Sequence, residues 1–313
     1  MEKNENKTLN RYRFALLSPE IKFVIRKYIT SNIWKLFTII APILWLMLPA
    51  KCKRFDRPIF IIGVSRSGTT LFLDMFAKHK DLANFSEASE VFEPFYYSRN
   101  VDHVKKRKDV TFYNRCRIKF VFGLFTCVMR KSRLLNKHPQ NSLRISFLVE
   151  LFSDAIFLHL IRDGRAAVFS NVSQVSRDRY RQKIPFGSFP KPESWREYIK
   201  LDEVSQYSHQ WVDLINEIRN TVVKEGVLKS YYEIKFEEFC ENPGKIISEV
   251  DKFCGLDQEN RKMQDIPEMF SPANDKFRHS FSQEQIMVMM SIIGSTQESL
   301  GYPLETEQML RSD

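Results

Sequence analysis

The sequence predicts an α/β domain, a P-loop-like parallel sheet flanked by helices, preceded by a helical N-terminal segment that is both basic and apolar. Three observations predict it. The β-branched and aromatic run Ile59-Phe60-Ile61-Ile62 passes through a glycine loop into a helix-patterned stretch, the same order recurs between Ala155 and Ser170, and helical stretches separate these units from a third strand at Tyr231 to Phe236. An unbroken apolar run suits a strand covered on both faces, and strands alternating with helices mark a parallel sheet.

The first element is a tail. Residues 1–57 hold twelve Lys and Arg against four acidic residues. Residues 1–32 read as a basic amphipathic segment, with Lys22, Arg26 and Lys27 set among Ile, Phe and Val as in a helix lying at a membrane interface. Residues 33–50 follow as an apolar, membrane-attaching segment, its part from Leu36 to Ala50 fifteen uncharged residues bracketed by Lys35 and by Lys51, Lys53 and Arg54. Crossing a bilayer takes about 20 apolar residues, so this run, which contains Pro42, is short for a span. A signal peptide is a poor match, since the basic region ahead is long and no small-residue cleavage site follows. Membrane attachment and a buried core helix with a basic face both stay open, and positive charge on both sides leaves the topology unread.

A regular domain occupies residues 57–313. Its first strand leads into Gly63-Val64-Ser65-Arg66-Ser67-Gly68-Thr69-Thr70, then a helix from Leu71 to Lys80. The glycine spacing is that of a phosphate-binding loop, whose N–H groups and following helix N-terminus cradle an anion. Thr69, however, stands where a nucleotide hydrolase needs Lys for the β- and γ-phosphates, and Arg66 supplies the charge two residues earlier than the glycine. The ligand expected is phosphate-like, with no triphosphate to clamp. Helices are expected at Leu143 to Phe152 and Glu203 to Lys224, and the strand Ala155 to Ile161 ends in Arg162-Asp163-Gly164-Arg165 before another helix.

Composition closes off other classes. With 43% hydrophobic and 27% charged residues among 313, and 10 Gly and 13 Pro, the chain is neither disordered nor collagenous. Five scattered Cys do not form a disulfide framework or a zinc pair, so a reducing compartment is the default. The second basic excess, residues 101–133, contains Lys105 to Lys108, which reads as a solvated face or an anionic-lipid or acidic-acceptor patch. Ile118 to Met129 is expected to be core or acceptor-pocket lining, and Arg177, Arg179, Arg181 and Lys183 form a basic strip. Because the basic clusters coincide with apolar runs, no nucleic acid is expected as a partner.

The segment Ile61 to Leu71 resembles the 5′-phosphosulfate loop of the sulfotransferases that use 3′-phosphoadenosine 5′-phosphosulfate (PAPS), and Leu158 to Ser170 is similar to their 3′-phosphate signature, a strand ending in Arg with a Ser eight residues later. Asn136 to Pro139 is similar to the Lys-x-Pro segment of the carbohydrate and tyrosylprotein branches. Ile234 to Pro243 resembles the family's Tyr-Glu-Asp-Leu strand end, with Phe236 and Glu238 departing from it; Asn274 to Arg278 and Leu300 to Tyr302 look like the basic loop and terminal Leu-Gly-Tyr of bacterial members. The resemblance runs from about residue 57 to 303. It implies a PAPS-dependent enzyme with the donor held by Arg66, Ser67, Gly68, Thr69, Thr70, Arg162, Ser170, Lys276 and Arg278, a sulfuryl contact from Lys137, and a membrane-associated catalytic domain facing the compartment that holds PAPS, cytoplasmic in a bacterium or Golgi-lumenal in a eukaryote.

The chemistry stands on its own reasoning. Sulfuryl transfer to an alcohol spreads charge over three equatorial oxygens, much as phosphoryl transfer does, so the protein needs cations, loop amides and a base for the acceptor proton. No metal is expected. Arg66 and Lys137 supply charge; Glu87, at the family's distance after the loop Arg, is the first candidate base, Glu90 the second and His138 the third. The acceptor is expected to be a hydroxyl of a glycan, glycolipid or tyrosyl group. An ATP phosphotransferase and an inactive membrane-bound scaffold remain the alternatives.

Overall fold

The computed structural model describes residues 33, 36–87, 89–93, 101–177, 189–271 and 274–304. The basic tail 1–32 lies outside them, as do Arg179, Arg181 and Lys183 of the basic strip. Five parallel strands, β1 (Ile59–Gly63), β2 (Leu82–Ser86), β3 (Arg133–Lys137), β4 (Ile156–Ile161) and β5 (Tyr231–Lys235), stand in the order β2-β3-β1-β4-β5. The helices that matter are α1 (Thr69–Phe76), α2 (Phe112–Val128), α3 (Ile145–Leu151), α4 (Gly164–Arg177), α5 (Glu203–Lys224), α6 (Phe236–Glu241), α7 (Pro243–Cys254) and α8 (Gln283–Ser299).

Side chains alternate across a strand, and both faces of this sheet are covered. Ile59 and Ile61 pack with Phe72 and Phe76 of α1, Phe239 of α6 and Ile247 and Val250 of α7. Phe60 and Ile62 pack on the other face with Ile118 and Phe122 of α2, Leu148 of α3 and Ile218 of α5. That is why the β1 run is apolar at every position. A third cluster, in which Trp211 of α5 and Met289 and Ile293 of α8 meet Ala167 and Val168 of α4, carries the last helices beyond the strand ends.

Two strands escape the sequence reading. β2 is an edge strand with Asn84 and Ser86 in it, and β3 has only Leu134 and Leu135 between polar ends. Those ends are buried by pairing: Arg133 donates to the carbonyls of Arg57 and Cys254. The boundaries shift as well. The first helix begins at Thr69 and ends at Phe76, and the β4 strand begins at Ile156, one residue later than expected.

The cysteine reading needs correction. Cys52 and Cys127 form a disulfide with Cα atoms 5.3 Å apart, while Cys116, Cys240 and Cys254 are buried thiols. Seventy-five residues separate the pair, and only the packing of residues 50–53 on α2 brings them together. Before this pair, residues 36–47 form a helix that lies along α2, with Phe37 against Phe120 at 5.7 Å and Thr38 accepting from Arg117 at 3.0 Å. Ile118 to Met129 is thus only half core: Ile118 and Phe122 are buried, whereas Leu124, Val128 and Met129 are exposed.

Candidate active site

Parallel strands deliver their C-terminal ends to one edge of the sheet, where ligands bind in open α/β folds. Gly63, Glu87, Lys137, Arg162 and Phe236 stand at or just beyond those ends. Because β1 pairs directly with β4, with Gly63 opposite Leu160, the two signature loops are neighbours although 96 residues separate Arg66 from Arg162.

The loop after β1 is fixed by close approach. Gly63 has φ +150°, and a Cβ there would lie 2.5 Å from the Leu160 carbonyl oxygen. Ser142 clamps the same residue, its Oγ accepting from Gly63 N and donating to Gly63 O, both at 2.9 Å. Gly68 has φ +82°, and a Cβ there would stand 2.1 Å from two ring carbons of Phe236. Gly68→Ala is therefore expected to cost about 2–5 kcal/mol, combining left-handed backbone strain with an overlap the ring cannot relieve. Thermal or denaturant unfolding checks this, and a loss under about 1 kcal/mol would show that Phe236 swings freely.

Inside the loop, the hydroxyls of Ser65 and Ser67 are buried and find no hydrogen-bond partner among the described residues. Buried polar atoms normally have one. Together with the first N–H groups of α1, which have no helical acceptor, they form a cradle that an anion completes. Arg66 overhangs it at φ 71°, donating Nε to Ser170 Oγ of α4 at 3.0 Å. Arg162 donates to the Arg66 carbonyl at 3.1 Å, stacks 4.9 Å from the centre of the Phe236 ring, and reaches Asn274 Oδ1 with Nε and Nη2 at 3.1 and 2.9 Å. Arg66, Arg162 and Ser170, three donor-site expectations from two distant motifs, thus share one corner.

On the other side of the loop stand Lys137 and Glu87. Parallel pairing sets Ser86 opposite Lys137, and Glu87 N donates to the Lys137 carbonyl at 2.9 Å. The Lys137 ammonium donates to Thr70 Oγ1 at 3.1 Å and to the Glu87 carboxylate. Glu87 is itself held at φ 56°. Only four described non-glycine residues have positive φ, and two of them, Arg66 and Glu87, are candidate site residues. Such strain, of order 1–3 kcal/mol per residue, persists where the surroundings over-determine it and clusters at functional sites.

The alternative bases fare differently. Glu90 sits in the short helical turn Ser89–Phe92, and its side chain lies outside the described residues. His138 Nδ1 accepts from Gln140 N at 3.3 Å, capping the turn Pro139–Leu143. Burial, reinforced by the Arg144 and Lys137 cations, pushes its imidazole down to about 3, so it stays neutral and is a weak base. Lys276 is exposed and Arg278 lies 3.7 Å from Asp275 in its own segment. From this segment Asn274 accepts from Arg162.

Two residues that sequence reasoning passed over hold the corner together. Glu237, the first residue after Phe236, accepts from Asp163 N at 3.1 Å, Asn274 Nδ2 at 2.7 Å and the Tyr302 hydroxyl at 2.8 Å. Gln297 of α8 accepts from Gly164 N and donates to Asp163 Oδ1, both at 2.9 Å. The Ile234 to Pro243 and Leu300 to Tyr302 resemblances were the available signal for Glu237; nothing marked Gln297.

A family model described as the Sulfotransferase family matches residues 58–260, about two thirds of the chain. The chain belongs to the sulfotransferase family. A protein-tyrosine sulfotransferase of Drosophila melanogaster is 31% identical over 133 residues, covering 37% of this chain and 25% of that protein. Protein-tyrosine sulfotransferase A of Caenorhabditis elegans is 28% identical over 192 residues, covering 56% and 44%. This sulfotransferase-family chain thus spans less than half the length of the curated relatives it matches. Among solved structures, a sulfotransferase from Alicyclobacillus acidocaldarius aligns with TM-score 0.50 at 16% identity over 80% of this chain and 98% of that one. One from Mycobacterium tuberculosis H37Rv aligns with TM-score 0.53 at 14% identity over 88% and 86%. At such identities these two speak for the fold.

Proposed function

We propose that the chain transfers the sulfuryl group of PAPS to a hydroxyl of a glycan, glycolipid or tyrosyl acceptor. The observation that carries the reading is an anion cradle with unsatisfied buried hydroxyls, flanked by Arg66 and by the Lys137–Glu87 pair. In the reaction the acceptor oxygen bonds to sulfur as the bond from sulfur to the 5′-phosphate oxygen breaks. Glu87 takes the hydroxyl proton, Lys137 holds a sulfuryl oxygen, and Arg66 with the loop amides neutralises the departing phosphate. Arg162 and Ser170 hold the 3′-phosphate, with Lys276 and Arg278 available from the neighbouring segment. The product nucleotide is adenosine 3′,5′-bisphosphate.

On this reading the chain is attached to a membrane by residues 33–50 and works in the compartment that holds PAPS. The Cys52–Cys127 disulfide favours an oxidising compartment, which in a eukaryote is the Golgi lumen. Titration calorimetry tests the donor: adenosine 3′,5′-bisphosphate is expected to bind at least tenfold more tightly than adenosine 5′-monophosphate. Equal affinities would remove the 3′-phosphate site and with it the assignment. Incubation with labelled PAPS and glycan, glycolipid and tyrosyl acceptors then identifies the hydroxyl.

A further inference from the structure

The helix at 36–47 is amphipathic in the unusual sense. Its inner face, with Thr38, Ala41 and Leu48 just beyond, packs on α2, and its outer face is not polar. Leu36, Ile39, Ile40, Ile43, Leu46 and Met47 recur at helical spacing on that outer face and are 41–76% exposed. Just past the stripe, Leu48 and Cys52 meet Gly123 and Cys127 of α2, and at that end of α2 Leu124, Val128 and, one residue beyond it, Met129 are also exposed. Apolar residues gathered in one patch, instead of scattered singly, mark an interaction surface.

Its packing and rim say what covers it. The helix is held against α2 through Phe37 and Thr38, and no described helix is long and apolar enough to cross a membrane. Lys51 and Arg54 lie just past the C-terminal end of the stripe, and Arg130 lies beside Met129; all three are exposed. A second copy of the same chain would set these cations against their equals. An anionic lipid surface complements them.

We infer that this face lies flat on an anionic bilayer, with the stripe of residues 36–47 and the C-terminal half of α2 in the headgroup region and the cationic rim on the lipid phosphates. This rests on the membrane attachment proposed above and specifies its mode and partner. The disulfide and the Arg117–Thr38 bond make the face rigid, because they tie the helix to α2 near both of its ends. Arg117 also donates to the Val91 and Phe92 carbonyls, in the turn that follows Glu87, so the leading end of the stripe lies on the acceptor side of the site.

The test uses the full chain and vesicles. Co-sedimentation with phosphatidylcholine vesicles containing 30% phosphatidylglycerol is compared with phosphatidylcholine alone, for the native sequence and for Ile43→Glu/Met47→Glu. Both positions are more than 60% exposed, so the fold should be untouched, and adenosine 3′,5′-bisphosphate affinity reports on that separately. Expected is binding at least tenfold tighter to the anionic vesicles, weakened at least tenfold by the double substitution, with nucleotide affinity unchanged. Undiminished vesicle binding by the variant would overturn the inference, as would a native dimer in light scattering that the variant converts to monomer without any vesicle binding. Loss of nucleotide binding by the native chain would strike the proposed reaction and leave the vesicle result standing.

Discussion

Glu87→Gln is expected to lower turnover by about 10²- to 10⁴-fold, the usual range for removing a positioned general base. The substitution keeps the shape of the side chain and its place beside Lys137, so affinity for adenosine 3′,5′-bisphosphate should stay within a few-fold. Single-turnover sulfation with saturating donor separates the two quantities. His138→Asn provides the contrast: an imidazole already held neutral at about pH 3 and above should contribute little, and its loss should leave the pH profile between 6 and 9 unchanged. If Glu87→Gln were as active as the native chain, the base would have to be sought at Glu90.

The second large effect concerns Arg162. Its guanidinium is held from three directions, by the Arg66 carbonyl, Asn274 and the Phe236 ring, which presets its orientation. A charge-assisted contact to a phosphate is worth roughly 1.5–3 kcal/mol, or about 10- to 150-fold. Arg162→Ala should therefore remove most of the preference for adenosine 3′,5′-bisphosphate over the 5′-monophosphate while weakening the monophosphate much less. Arg162→Lys should recover only part, since an ammonium keeps the charge and loses the planar fork. Retention of the full preference in the alanine variant would place the 3′-phosphate elsewhere.

What the sequence reveals follows burial. β1 and β4 are central and covered on both faces, so β1 is apolar throughout and β4 is apolar but for the buried His159, which pairs with the Tyr231 hydroxyl; β2 and β3 carry Asn84, Ser86, Arg133 and Lys137 because one lies at the edge and the other spends its ends on the site and on the Arg57 carbonyl. The phosphate loop was legible because backbone geometry restricts it to glycine at two positions. Arg66 with Ser170, and Lys137 with Glu87, were singled out through the resemblance to the family's motifs, and the structure brings each pair together. Gln297 and the Cys52–Cys127 pair carried no such signal, since each acts across 75 or more residues and only the folded chain makes the partners neighbours.

Lys137 carries the timing of the proposed reaction. An ammonium has three N–H donors; one goes to Thr70 and one to Glu87, which leaves the third for a sulfuryl oxygen. While Glu87 is ionised, it shares the positive charge. Once the acceptor proton reaches the carboxylate, Glu87 becomes neutral and the charge of Lys137 falls wholly on the group in flight. Deprotonation of the acceptor and stabilisation of the sulfuryl group are then two phases of one event, synchronised by a single side chain, and the handover depends on the register that sets the end of β2 against the end of β3.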